Sequence, residues 1–292
     1  PGGYTGSNGG SEVIGFANPS FGWRQQFATG ANGAYSLEVT DNGGTTWKAA
    51  PSIATHGGDQ NLPVVFADPS VAFAANPLTY VYAMFPGDNP PPWVWRSTDG
   101  GNHWSHFTVP APSGVTGAAA FYGQPRFFGQ LGVLPVAFTN SGATWVAFYR
   151  STDSGVTWQL QTLLRTTSDL VALPDVGNTA PTHVAGAFPV VAIASPSTFW
   201  VIGTSSTGTR TVSVTHDSGT TWTSDIAAGI PAYKPSAQEY VSQEGFVSLL
   251  QAASPTQAWI QVTEGTSIDS QSAVLISTQD AGRTWTPLHL SP

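Results

Sequence analysis

The sequence predicts an all-β fold, a β-propeller of four-stranded antiparallel blades, with five blades expected and six as the alternative. Three observations carry this expectation. An eight-residue turn pattern recurs five times, and a second turn, containing Pro, precedes most of its copies. Between the turns lie short β-branched and aromatic runs, and no stretch has convincing helical periodicity.

The first pattern is Ser/Thr-x-Asp/Asn-x-Gly-x-x-Trp. It reads TDNGGTTW (40–47), STDGGNHW (97–104), STDSGVTW (151–158), THDSGTTW (215–222) and TQDAGRTW (278–285). Its third position is Asn42, Asp99, Asp153, Asp217 and Asp280, at steps of 57, 54, 64 and 63 residues. A catalytic group is needed once, whereas a pattern repeated at a near-constant period marks an array of similar units. In a tight turn the side-chain oxygen accepts backbone N–H groups, and Gly supplies a positive φ. The Trp then buries an apolar face over the turn. Asn42 fits this role, because an amide oxygen accepts such bonds too, and it would not serve as a nucleophile. All five residues are therefore read as structural.

The second pattern reads FANPSFGW (16–23), FADPSVAF (66–73), IASPSTFW (193–200) and AASPTQAW (252–259). Pro presets φ for a turn, and the preceding Asn, Asp or Ser accepts a local N–H. Four residues after each Pro, Trp23, Phe73, Trp200 or Trp259 opens the next strand. The third unit lacks this turn, and Trp145 is expected to take the aromatic role there. Each unit thus reads strand, Pro turn, aromatic strand, variable loop, strand, acidic turn, Trp strand. In the fourth unit the strands are expected near 189–194, 199–203, 211–215 and 221–224. Four strands repeated about an axis make a propeller, which limits exposed sheet edges. Residues 1–11 read as a flexible leader and 12–292 as a single domain. The longest insertion, 161–188, carries no copy of the turn and hides no sixth unit.

The repeated turn resembles the Asp box, or BNR repeat, of sialidase-like propellers, and the resemblance extends over all five units. The same box occurs in xyloglucanase-type hydrolases, sortilin-type receptors and Ycf48-type photosystem assembly factors. The resemblance implies that each box joins the third and fourth strands of a blade, at the periphery and away from the ligand face. Six blades are the number in sialidases. The three-arginine clamp of sialidases has no counterpart motif here, since no early Phe/Tyr-Arg-Ile-Pro occurs. The basic patch implied by a Ycf48-type reading is also missing.

Composition bounds the function. The chain has 292 residues, of which only 9% are charged, with a net charge of -8. That argues against a nucleic-acid partner, which would want a basic face. No apolar run of 18 residues exists, so no membrane span is expected. Cysteine is absent, which excludes disulfides and thiolate metal sites. The histidines are dispersed without metal-ligand spacing, so neither a metal nor another cofactor is expected. The Ser/Thr/Gly-rich, weakly charged surface points to a secreted, bacterial protein.

Function is then expected in the loops on the face opposite the boxes. These are 52–63, 109–125, 161–188 and 224–245 between blades, with 86–95 and 263–272 within them. A glycosidase needs two carboxyls about 5 to 9.5 Å apart. Glu244, immediately before the apolar run 246–250, is the first catalytic candidate. Asp59 holds a comparable place before 62–66, with His56 nearby. Arg126, in GQPRFFG, is expected at a strand start facing the channel. Trp93, in the Pro-stiffened NPPPWVW, offers a sugar-stacking platform, and Tyr240 and Glu239 add ligand-binding groups. The expected activity is hydrolysis of a polysaccharide or glycoconjugate. The alternative is a non-catalytic module that binds glycan or protein through the same loops.

Overall fold

The short β-branched and aromatic runs do form strands, and the turn residues end them. The computed structural model describes residues 12–27, 35–50, 64–74, 94–115, 119–140, 143–166, 171–173, 183–185, 187–205, 208–231, 246–264 and 272–288. Blade one holds β1 (Glu12–Phe16), β2 (Gly22–Phe27), β3 (Tyr35–Thr40) and β4 (Lys48–Ala50). Blade two holds β5 (Val64–Phe66), β6 (Ala72–Ala74), β7 (Val94–Ser97) and β8 (Ser105–Phe107). Blade three comprises β9 (Ala119–Tyr122), β10 (Arg126–Phe128), β11 (Leu131–Asn140), β12 (Ala143–Ser151) and β13 (Gln159–Thr166). A separate hairpin follows, β14 (Val171–Leu173) with β15 (His183–Ala185). Blade four holds β16 (Ala187–Ser195), β17 (Thr198–Thr204), β18 (Arg210–Thr215) and β19 (Thr223–Ile226). Blade five holds β20 (Phe246–Ala252), β21 (Ala258–Glu264), β22 (Ser272–Thr278) and β23 (Thr286–Pro287). Strands pair antiparallel in chain order within each blade, apart from β9, which pairs with β11, and the five blades form a ring: a five-bladed propeller, not a six-bladed one.

The fourth blade lies where the sequence places it; the third departs in three ways. Segment 109–125, expected as a linking loop, carries β9, which with the adjoining β10 forms the inner edge of the blade. β9 pairs with β11 at Val136, Ala137 and Phe138, and β10 pairs at Leu131, Gly132 and Val133. The edge breaks at Gly123–Pro125, because Pro has no N–H to give to a ladder. Segment 161–188, expected as an insertion, begins inside β13 and later supplies β14 and β15. Finally, Val133, not Trp145, stands where Trp23, Phe73, Trp200 and Trp259 stand in the other blades. A two-residue turn with Gly129 at φ 65° replaces the Pro turn here. Trp145 sits at the far end of the blade, opposite Phe138 and Arg165.

The core lies between blades. Trp23 and Leu37 of blade one pack with Phe66 and Trp95 of blade two. Phe73 and Val94 pack with Tyr122, Leu134, Phe138 and Tyr149 of blade three. Val133 and Phe148 meet Phe199 and Val201 of blade four, with Phe148 stacked on Phe199 at 4.6 Å between centroids. Trp200 and Val212 meet Ile260, Val262 and Ile276 of blade five. Each blade is thus a thin sheet that becomes stable by burying its faces against its neighbours.

Phe73 is fully buried and stacks on Phe127 across the second seam at 5.1 Å. Phe73→Ala is expected to cost about 3–5 kcal/mol in denaturant unfolding. Val156→Ala, at a side chain 53% exposed, should stay within about 0.5 kcal/mol of the parent.

Candidate functional site

The reactive residue types recur at one rim, in the turns between third and fourth strands. In blade three, Asp153 Oδ1 accepts the Thr157 N–H at 2.9 Å and the Ser151 hydroxyl at 2.7 Å. Its Oδ2 accepts the Thr157 hydroxyl at 2.7 Å, and Ser151 Oγ accepts the Gly155 N–H at 2.7 Å. Thr215, Asp217 and Thr221 repeat this set in blade four, as do Thr278, Asp280 and Thr284 in blade five. In blade two His103 replaces the second threonine, and its Nδ1 meets Asp99 Oδ2. In blade one Asn42 Oδ1 still accepts the Thr46 N–H, but Nδ2 donates to Thr46 Oγ1 at 2.8 Å. That last bond runs opposite to its counterparts, which is how an amide takes the place of a carboxylate.

Two consecutive residues after the acid have positive φ, for example Ser154 at 56° and Gly155 at 85°. This turns the first of their N–H groups toward the turn joining the first two strands. Gly43 donates to Ser20 O at 2.7 Å, Gly100 to Ser70 O at 2.8 Å and Ser154 to Gln130 O at 2.9 Å. Ser218 donates to Ser197 O at 2.9 Å and Ala281 to Thr256 O at 3.1 Å. Those partner turns are themselves closed by side chains: Asn18 Oδ1 accepts from Ser20 and Phe21, and Asp68 Oδ1 from Ser70 and Val71. Every blade therefore has both turns of this rim tied together.

The same turns also fasten blade to blade. A Cβ added at Gly155 would lie 2.2 Å from Phe73 of blade two, and one at Gly219 would lie 2.2 Å from Thr162 of blade three. At Gly282 it would lie 2.5 Å from Val212 of blade four. Arg96 of blade two donates to Val156 O at 2.9 Å, and the Thr162 hydroxyl to Gly219 O at 2.9 Å. Arg96 directly precedes the turn of its own blade, and no one-dimensional signal marks its reach across a seam.

The electrostatics fit a structural role. Donated hydrogen bonds hold four carboxyls at about 2: chiefly the His103 N–H for Asp99 and the Thr157 N–H for Asp153. The Thr221 hydroxyl does so for Asp217 and the Thr284 hydroxyl for Asp280. Such groups hold no proton to donate near neutrality, and their lone pairs are occupied. The other carboxylates with described side chains are also engaged: Glu38 with Arg24, Asp41 with Lys48, Asp68 in its turn and Asp225 with Arg283.

The opposite rim carries the segments between second and third strands and those between blades. Glu244, Asp59, His56, Trp93, Tyr240 and Glu239 all lie outside the described residues. Arg126 opens β10 but sits opposite Val133, close to the turn rim, exposed and with its guanidinium 5.6 Å from the Phe128 ring centroid. Arg165 lies on β13 over the Trp145 ring, and Arg210, 4% exposed, opens β18 at the loop-rim end of blade four. Two buried tyrosines hold the segment leaving β8: the Val109 N–H donates to Tyr122 Oη, and Tyr149 donates to Pro110 O. Burial, with Tyr122 alongside, pushes the Tyr149 phenol up to about 12, so it stays a donor. Among the described residues no three His, Asp or Glu converge as a metal site, and no helix is long and apolar enough to cross a membrane.

No family model and no curated protein matches the chain. Among solved structures it is similar to a GH74 enzyme from Niastella koreensis, at 16% identity and a TM-score of 0.42, over 94% of this chain and 37% of that one. It is similar to a Trypanosoma rangeli sialidase in complex with the inhibitor DANA, at 12% identity and a TM-score of 0.48, over 94% and 47%. It is also similar to YCF48 from Cyanidioschyzon merolae, at 15% identity and a TM-score of 0.37, over 94% and 83%. The chain spans less than half the length of the first two.

Two outcomes test the turn geometry. Gly155→Ala is expected to destabilise by about 2–4 kcal/mol, from overpacking plus left-handed strain, whereas Ser154→Gly should stabilise by roughly 0.5 kcal/mol. Both are read by denaturant unfolding. The four depressed carboxyls stabilise the fold above their ordinary value of 3.8. That contribution is lost as pH falls toward about 2. An Asp153→Asn variant should therefore lose less stability over this window than its parent, in thermal melts at stepped pH.

Proposed function

We propose that the protein is a secreted bacterial propeller with Asp-box turns that acts as a glycoside hydrolase on a polysaccharide or glycoconjugate. The reaction would use a pair of carboxyls on the loop rim. One observation carries the reading. Every carboxylate with a described side chain is engaged in a turn or an ion pair, which leaves the acids of the loop-rim segments for chemistry. Glu244 and Asp59, each just ahead of an inner strand (β20 and β5), are assigned the catalytic roles. One carboxylic acid protonates the leaving glycosidic oxygen, and the other, ionised, attacks the anomeric carbon or activates water. Trp93 and Tyr240 would stack on sugar rings, with His56 and Glu239 as hydrogen-bonding groups beside them. Arg126, near the turn rim, is left out of this set. The weak, acidic charge of the chain suits a neutral glycan better than a nucleic acid.

The test is reducing-sugar release from a panel of polysaccharides and sialosides, with Glu244→Gln run in parallel. Release is expected, with the substitution lowering it at least about 100-fold. Retained release would keep the hydrolase and remove Glu244 from its machinery. Binding of the same polysaccharides without cleavage would make the protein a non-catalytic glycan-binding propeller.

A further inference from the structure

We infer that the ring opens at one seam, between blade five and blade one, while the other four seams stay closed. Corresponding positions, aligned on the repeated turn, carry the argument. On the side of each blade facing its successor, Trp23, Phe73, Val133 and Trp200 are buried, as are Leu37, Val94, Phe148 and Val212. Their counterparts in blade five, Trp259 and Leu275, are only half-buried. On the side facing the preceding blade, blades two to five bury Ala74 and Trp95, Leu134 and Tyr149, Val201 and Ser213, Ile260 and Ile276. Blade one has Arg24 and Glu38 at these two places, paired with each other and 29% exposed. The Arg24 guanidinium lies 4.9 Å from the Trp47 ring centroid, so this ion pair and an indole cover what is elsewhere an apolar seam.

Three independent features agree. The apolar clusters join blades one to two, two to three, three to four and four to five, and none among the described residues joins five to one. Two of the exposed large apolar side chains, Phe16 at 47% and Leu288 at 37%, belong to these two blades. Among the described residues, a Cβ at the turn glycine of blade one, Gly44, meets Trp47 and Phe16 of its own blade, whereas at Gly155, Gly219 and Gly282 it would meet a side chain from the preceding blade. Among the described residues each blade is also made of consecutive strands. Burying the Arg24–Glu38 pair would cost desolvation that its Coulomb attraction repays poorly. Blades one and five are therefore each buttressed on one side, like the end units of a linear repeat array, and form the low-stability units of the molecule.

Hydrogen exchange of the full chain, read by mass spectrometry, tests this. Amides of β2, β3, β21 and β22 are expected to exchange at least about tenfold faster than those of β11, β12, β17 and β18. Their opening should also be insensitive to low denaturant. Arg24→Val combined with Glu38→Ile gives blade one the residue types of Val201 and Ile276. It should slow exchange in β21 and β22, although both substitutions are in blade one. Uniform exchange across the five blades would overturn the inference, as would slowing confined to blade one. The parent profile decides the matter even where the double variant does not fold.

Discussion

A side-chain oxygen that accepts a backbone N–H four residues ahead, in a turn with two successive left-handed residues, is the constraint on which this molecule depends. It closes the outer hairpin of each blade, and the left-handed pair aims a further N–H at the neighbouring turn. In blades three to five the glycine of the pair leaves a space that the preceding blade fills. One local motif therefore sets the hairpin, ties the rim and spaces the blades. The chemistry needs only an acceptor of the right length, which is why Asn42 serves beside Asp99, Asp153, Asp217 and Asp280.

That economy separates stability from function. Carboxylates at the turn rim are ionised, hydrogen-bonded and committed, so their resemblance to a catalytic Ser-His-Asp grouping is misleading. Ser97 and His103 both hydrogen-bond to Asp99, yet these bonds close a turn. A rigid ring is a suitable support for the segments of the opposite rim.

The seams show how a repeat becomes a ring. Four of them are apolar and closed, with aromatic residues such as Phe73, Phe148, Phe199 and Trp200 filling the gap. At the fifth, blade one presents the Arg24–Glu38 pair, and Trp259 and Leu275 of blade five are only half-buried. A closed ring distributes stability evenly among its units, whereas a ring with one polar seam grades it from the middle outward.

The turns were legible in the sequence because each is built from residues within eight positions, so spacing alone reveals them. Five blades, the order of strands and the structural reading of the five turn residues followed from that local chemistry. Blade three was harder. Its inner edge was hidden because Pro125 interrupts it, and its missing Pro turn disguised Val133, whose place is set by its register opposite Arg150. Arg96, the paired Tyr122 and Tyr149, and the Arg24–Glu38 seam could not be read in advance. Each acts on a residue from another turn or blade, far along the chain, and side chains of that kind meet only when the ring brings the sheets face to face. The sequence by itself determined the repeating unit, because its turns are closed by neighbours in the chain. Tertiary structure alone decided how the units meet, because burial at a seam is a property of two blades together.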